Sequence, residues 1–241
     1  MQSFNAVCPI CDQKKSFSAP DDFWQARDGL RAETCPYGVC WTRERALAHV
    51  IKSLYPEKIL RKLKIHESSP ATRGISAWLK AHCKNYLPSG YYPAEKPGAI
   101  IGGLRNENLE SQSFAGGSFD LVVHLDVMEH LFQPFAALRE IYRTLKPGGR
   151  TIFSAPTGWI TFYSEQVAFQ TETGIRIVGE PEYHINPQDE NGALVTWRYG
   201  YDFPLLISRE TDFDTEVRRF QSRQAAATGA MTEIYVLTKP G

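Results

Sequence analysis

Four of the five cysteines in this 241-residue chain fall in its first forty positions, as Cys8-Pro-Ile-Cys11 and Cys35-Pro-Tyr-Gly-Val-Cys40, and only Cys83 stands apart. Two tight cysteine turns joined by a short arm suit a zinc ion, which wants four soft ligands in a tetrahedron. The second pair is spaced by four residues, and two disulfides or unrelated buried thiols are the other readings of the same pattern. With four protein ligands the ion would have no open position, so its role would be structural. Residues 1–42 carry few apolar side chains and need such a staple to fold.

The elements that would position further chemistry are clearest between Ser118 and Pro156. Phe119 to Leu125 is a nearly continuous apolar run, the mark of a strand buried on both faces. Pro134 suits a first helical turn, and Phe135, Leu138, Ile141, Tyr142 and Leu145 recur on one helical face. Pro147-Gly148-Gly149 should stop that helix, and Thr151 to Ala155 is expected as a second strand. A crossover of this length makes the two strands parallel, giving a βαβ unit of an α/β sheet. Upstream, Arg43 to Leu54 is expected as an amphipathic helix with Leu47, Val50, Ile51 and Leu54 on one face. A strand from Leu63, a helix striped by Ile75, Trp78 and Leu79, and a strand over Asn85 to Tyr92 should follow. Downstream, residues 158–201 are polar and aromatic (Trp159, Phe162, Tyr163, Phe169, Tyr183, Trp197, Tyr199, Tyr201) and too long for a plain connection, which points to a lid or insertion. A helix over Asp202 to Arg209 and strands over Thr215 to Phe220 and Glu233 to Thr238 end the chain.

The chain has 27 basic and 27 acidic residues and a formal net charge of zero. That balance gives no global footprint for nucleic acid or a membrane surface. Residues 1–62 hold ten basic and seven acidic side chains, so nucleic acid is a possible but disfavoured partner. No apolar run reaches the roughly 20 residues of a membrane span, and Met1 to Pro20 lacks the form of a signal peptide. The expectation is a cytosolic protein, with its oligomeric state open.

The phrases SFDLVVHLDVMEH and ALREIYRTLKPGGRTIF resemble the fourth strand, following helix and fifth strand of class I S-adenosylmethionine-dependent methyltransferases. IHESSPATRGISAWL, SGYYP and GLRNENLESQSF are similar to a bacterial branch in which HESSP replaces the usual glycine-rich loop. The resemblance implies a Rossmann-like α/β fold with a seven-stranded sheet over residues 43–241, preceded by a zinc-ribbon-like module over 1–42. It implies S-adenosylmethionine as cofactor and a small molecule or sugar as acceptor. A ribosomal-RNA methyltransferase that binds RNA through the zinc module, and a non-catalytic binding protein, are the alternatives. The donor would lie against His66, Glu67, Ser68, Ser69 and Gly74, with Glu67 on its amino group, and against Leu125 and Asp126 of the fourth strand. Tyr91 stands where a ribose carboxylate is usual, and Asn108 with Leu109 in the adenine loop.

Methyl transfer from a sulfonium needs alignment and exclusion of water. A base is needed only when the acceptor must lose a proton. Three residues compete for that role. His184, in the Pro181-Glu182-Tyr183-His184 element, ranks first because imidazole titrates near neutral pH. Asp126 has helix capping as its other reading, and His130 has local packing.

Overall fold

A computed structural model of the chain describes residues 2–22, 25, 27–32, 35–158, 162–186 and 189–241. Trp159 of the aromatic run lies outside the described residues. The chain opens with a hairpin of β1 (Gln2–Val7) and β2 (Lys14–Ala19), whose turn carries Cys8 and Cys11. Then α1 (Thr42–Leu54) and a short α2 (Glu57–Leu60) lead into β3 (Lys64–Ser68), α3 (Gly74–His82) and β4 (Asn85–Gly90). The small strands β5 (Ile100–Ile101) and β6 (Leu104–Asn106) precede β7 (Phe119–Leu125), a 3-10 turn at Met128–His130, α4 (Pro134–Thr144) and β8 (Leu145–Ser154). The expected insertion is built from β9 (Glu165–Gln166), β10 (Ala168–Thr171), β11 (Gly174–Ile177), β12 (Tyr183–Asn186), β13 (Asp189–Leu194) and β14 (Trp197–Arg198). Here β9 pairs with β14, β10 with β11 and β12 with β13. The chain closes with α5 (Phe203–Glu210), β15 (Asp214–Arg218) and β16 (Ile234–Thr238).

The main sheet runs β15-β16-β8-β7-β3-β4-β6-β5. From β8 to β6 the strands are parallel, while β16, β15 and the edge strand β5 are antiparallel to their neighbours. The seven expected strands are all present, and β5 makes an eighth by folding back on β6. The chain winds outward from β3 to β6 and then returns to β7 on the other side of β3. The carboxyl ends of β3 and β7 therefore flank a topological switch point, where open α/β sheets bind ligands.

One apolar layer packs Leu47, Val50, Ile51, Ile75, Trp78 and Leu79 of α1 and α3 onto Ile65, Leu121 and Val123. The other packs Leu138 and Ile141 of α4 and Phe203 and Ile207 of α5 onto Phe119, Val122 and Phe153. Burial of β7 on both faces is thus what its unbroken apolar run demanded. Phe17, Leu30 and Cys40, from the segment expected as a separate module over 1–42, belong to the same buried cluster as α1 and α3.

Pro147-Gly148-Gly149 differs from expectation. The helix already ends at Thr144, and β8 begins at Leu145 opposite Phe119. The register then jumps, so that Leu121 faces Arg150 and the three residues lie in the bulge. Gly148 adopts φ 74°, and a Cβ on Gly149 would come 2.8 Å from the Lys146 carbonyl, so both glycines are needed for the bulge itself.

Candidate functional site

At the switch point the backbone turns sharply at two residues that are not glycine: Ser69 after β3 has φ 53° and Asp126 after β7 has φ 54°. Left-handed backbone costs such residues about 1 kcal/mol. Each is fixed by the neighbouring strand, since Ser69 N–H donates to the Ser89 carbonyl (2.8 Å) and Asp126 N–H to the Ser154 carbonyl (3.1 Å).

The side chains of β3 do not face the switch point as expected. His66 is fully buried on the α4 side of the sheet, 4.9 Å from the Phe114 ring and 5.2 Å from Phe119, with Nε2 2.8 Å from Ser89 Oγ. Burial pushes its pKa down to about 3, so the ring is a neutral core group rather than a donor contact. Glu67 points to the opposite face, where it accepts from Ser76 Oγ of α3 (2.5 Å) and Tyr86 OH of β4 (2.8 Å). Burial raises its pKa to about 7 against those hydrogen bonds. Each of its oxygens thus accepts a hydroxyl from within the fold, the setting in which Glu67, expected at the donor's amino group, is found. Alternation along a strand explains both results, because neighbouring side chains point to opposite faces and neither aims along the strand axis.

The loop over 69–74 is packed by the cysteine segment. Gly74 N–H donates to the Tyr37 carbonyl (2.8 Å), and the Arg73 guanidinium lies 4.0 Å above the Trp41 ring. Gly74 has φ 61°, and a Cβ there would meet the Glu44 carboxylate at 2.6 Å. Glu44 reaches back to the Trp41 N–H (2.7 Å) at the start of α1. This glycine therefore serves the junction with α1.

Asp126 neither caps a helix nor stands free as a base. Arg27 binds its two oxygens at 2.7 and 2.5 Å, Arg43 Nε lies at 3.0 Å, and Ser154 Oγ donates at 2.7 Å. Arg27 also donates to the Met231 carbonyl (3.1 Å), and Arg43 pairs with Asp28. Burial would raise the Asp126 carboxyl, but the two arginines overcome that and hold it below the usual carboxylate range.

The remaining expected donor contacts are dispersed. Ser68 is buried at the end of β3, and Leu125 is partly buried against the α1 layer. Tyr91 is 55% exposed beyond β4. Asn108 accepts the Glu110 N–H (2.9 Å) in its own turn, and Leu109 is buried in the α4 layer, so the adenine loop is internally braced.

A second group forms just beyond β7, and its centre, Glu129, was not singled out in the sequence. Glu129 is 1% exposed, and among the described residues neither carboxylate oxygen has a hydrogen-bond partner. Its Oε1 lies 3.7 Å from His184 Nδ1 and 3.9 Å from His130 Nε2, and the two imidazole rings stand perpendicular at 5.0 Å. His130 Nδ1 donates to the Leu194 carbonyl (2.9 Å). His184 Nε2 lies 3.3 Å from Glu182, which also pairs with Arg198. The Glu129 carboxylate raises the His184 pKa above its ordinary value, against burial. The insertion is fastened over this turn: Thr196 donates from its backbone to the Glu129 carbonyl (2.7 Å), and Tyr199 OH donates to the Met128 carbonyl (2.8 Å).

Three of the four cysteines expected to share an ion come together. One thiol sulfur each from Cys8, Cys35 and Cys40 lies within 4.8 Å of the others, and all five cysteines are free. Cys11 is not among those three; burial raises its thiol pKa, with Cys8 adding to the rise and Cys35 opposing it. The fully buried Arg45 donates to the Cys40 carbonyl, and its Nη1 lies 3.5 Å from the Cys40 sulfur. A buried cation beside a thiolate cluster offsets the negative charge that four cysteines would give a divalent ion.

Among known proteins, residues 92–153 match the methyltransferase domain family. Ubiquinone biosynthesis O-methyltransferases from Cereibacter sphaeroides and Ruegeria pomeroyi are each 38% identical over 68 residues, 28% of this chain. The match spans only 27% of those relatives' own length. Among solved structures, an S-adenosylmethionine dependent methyltransferase from Mesorhizobium loti superposes with a TM-score of 0.51 at 16% identity, covering 80% of this chain and 97% of that one. That likeness is one of fold.

Proposed function

We propose that this chain is a class I S-adenosylmethionine-dependent methyltransferase, as its match to the methyltransferase domain family supports, and that it transfers a methyl group to an oxygen of a small molecule or sugar. In the same reading it holds a structural zinc ion on Cys8, Cys11, Cys35 and Cys40. The observation that carries the proposal is the pairing at one end of the sheet of a charged switch point with a buried Glu129 that lacks a hydrogen-bond partner among the described residues and is flanked by two histidines. The matched O-methyltransferases support oxygen as the receiving atom.

The switch point suits a zwitterionic amino acid end. Arg27 and Arg43 bring guanidinium groups to this end of the sheet, where they hold Asp126 and would be shared with a bound carboxylate, and the turn at Ser68-Ser69 brings backbone close. S-adenosylmethionine bound there supplies a methyl group made electrophilic by its sulfonium. The chain's own part is to hold the acceptor in line and exclude water. Of the three candidates for handling the acceptor's proton, Asp126 is committed to two arginines and His130 Nδ1 to Leu194. That leaves His184, on the partly exposed hairpin β12–β13, to act on the acceptor together with Glu129.

Calorimetry with S-adenosylmethionine tests the first half. Saturable binding is expected, weakened by Arg27→Ala, and no heat at millimolar ligand overturns it. Methyl-group transfer from labelled donor to a panel of hydroxylated small molecules tests the second half. A non-catalytic binding protein is the second reading, favoured by the inward Glu67 and the covered 69–74 loop. It predicts donor binding without turnover of any acceptor.

A further inference from the structure

We propose that Glu129, His130 and His184 bind a divalent first-row metal ion, distinct from the one assigned to the cysteines, on which the acceptor's oxygen is held. The inference deepens the acceptor end of the proposed methyltransferase site and rests on that reading for its purpose, though not for its test.

The first support is the state of Glu129. A buried carboxylate with no hydrogen-bond partner is costly unless something compensates it; among the described residues both Glu129 oxygens are in that state, with only the two imidazoles in ion-pair range. The nearest nitrogens lie at 3.7 and 3.9 Å, too far for hydrogen bonds. A metal about 2.1 Å from each ligand holds neighbouring ligand atoms roughly 3 to 3.5 Å apart; the three ligand atoms already lie within 4.8 Å of one another, and the two Glu129–imidazole separations are within a few tenths of an ångström of that range.

The second support is the orientation of the histidines. His130 donates its Nδ1 proton to the Leu194 carbonyl, which leaves the Nε2 lone pair facing Glu129. His184 presents Nδ1 to Glu129, while its Nε2 faces the Glu182 carboxylate that Arg198 holds. Metal-ligating histidines characteristically place their second nitrogen against a carbonyl or carboxylate in this way. The ligands come from the turn after β7 and from the hairpin β12–β13, so the ion would also tie the insertion to the sheet.

Two imidazoles and one carboxylate favour manganese, iron, cobalt or zinc over magnesium or calcium, which prefer all-oxygen shells. Three protein ligands leave positions open for an acceptor oxygen. A hydroxyl bound there would pass its proton to solvent water more readily, and the resulting oxyanion would take the methyl group as the donor's sulfur–methyl bond breaks.

The test uses the full-length protein with its cysteine site loaded with zinc, titrated with Mn2+ and followed by the electron paramagnetic resonance signal of the free ion. Manganese prefers nitrogen and oxygen ligands and competes poorly at thiolates. One saturable equivalent is expected in the wild type, with affinity at least tenfold weaker in Glu129→Gln and in His184→Gln and about tenfold weaker in Glu182→Gln. Should Glu129→Gln fail to fold by circular dichroism, the partly exposed His184 variant decides. No saturable binding of Mn2+ at millimolar concentration, or unchanged affinity in His184→Gln, overturns the proposal. Neither donor nor acceptor is present, so failure here is separate from failure of methyl transfer.

Discussion

Replacing Glu67 by Gln separates two roles for the acidic residue that opens the family's nucleotide loop. The structure puts its carboxyl against Ser76 and Tyr86, buried, with a pKa raised from 4.5 to about 7. A raised carboxyl means the folded state keeps a proton that the unfolded chain has released. Stability from this group is therefore greatest below the unfolded value and is lost as pH rises through the window from about 4.5 to about 7. A shift of about 2.5 units corresponds to about 3 kcal/mol. Glutamine has the same shape and carries no charge at any pH, and the Ser76 and Tyr86 hydroxyls can turn to accept from its amide. Glu67→Gln should therefore match the wild type within about 1 kcal/mol near pH 5 and exceed it by about 2 kcal/mol near pH 8, after allowing about 1 kcal/mol for imperfect hydrogen bonds. Urea unfolding at the two pH values measures this directly. Donor affinity by calorimetry should change less than about twofold, since neither oxygen faces the loop. A variant less stable than the wild type near pH 8, or a tenfold loss of donor affinity, would refute the placement of this carboxyl.

Asp126→Asn leaves Arg27 and Arg43 without their shared carboxylate, and urea unfolding should record a loss of about 3 kcal/mol; a neutral result would mean the cluster is already solvated. Gly74→Ala forces a left-handed backbone and drives a Cβ into Glu44, so about 2 kcal/mol should be lost, with part recovered in the double variant Gly74→Ala, Glu44→Ala. Cys40→Ser should remove the zinc detected by elemental analysis and lower the thermal midpoint, whereas a zinc-free wild type with four free thiols would end the zinc assignment. His184→Ala should cut turnover by about a hundredfold with donor affinity unchanged within about twofold, and equal turnover in the two proteins would remove His184 from the chemistry.

The sequence by itself determined the parts of this protein that depend on local periodicity. The double-sided apolar run of β7, the helical stripe of α4 and the cysteine spacing each specify structure within a few residues of themselves, and their order admits one kind of parallel sheet. What the tertiary structure decided depends on partners far away in the chain. Arg27 and Asp126 are 99 residues apart, and nothing local in either one marks the pair. Glu129 and His184 come from different elements, so a Glu-His dipeptide that reads as turn packing becomes a buried carboxylate facing two imidazoles. His66 and Glu67 show the limit most plainly. The motif names them together, but the pleat sends one to each face of the sheet, where Phe114 and Phe119 enclose the first and Ser76 and Tyr86 hold the second. Spacing along a strand says that two neighbours part company, and only packing says what each one meets.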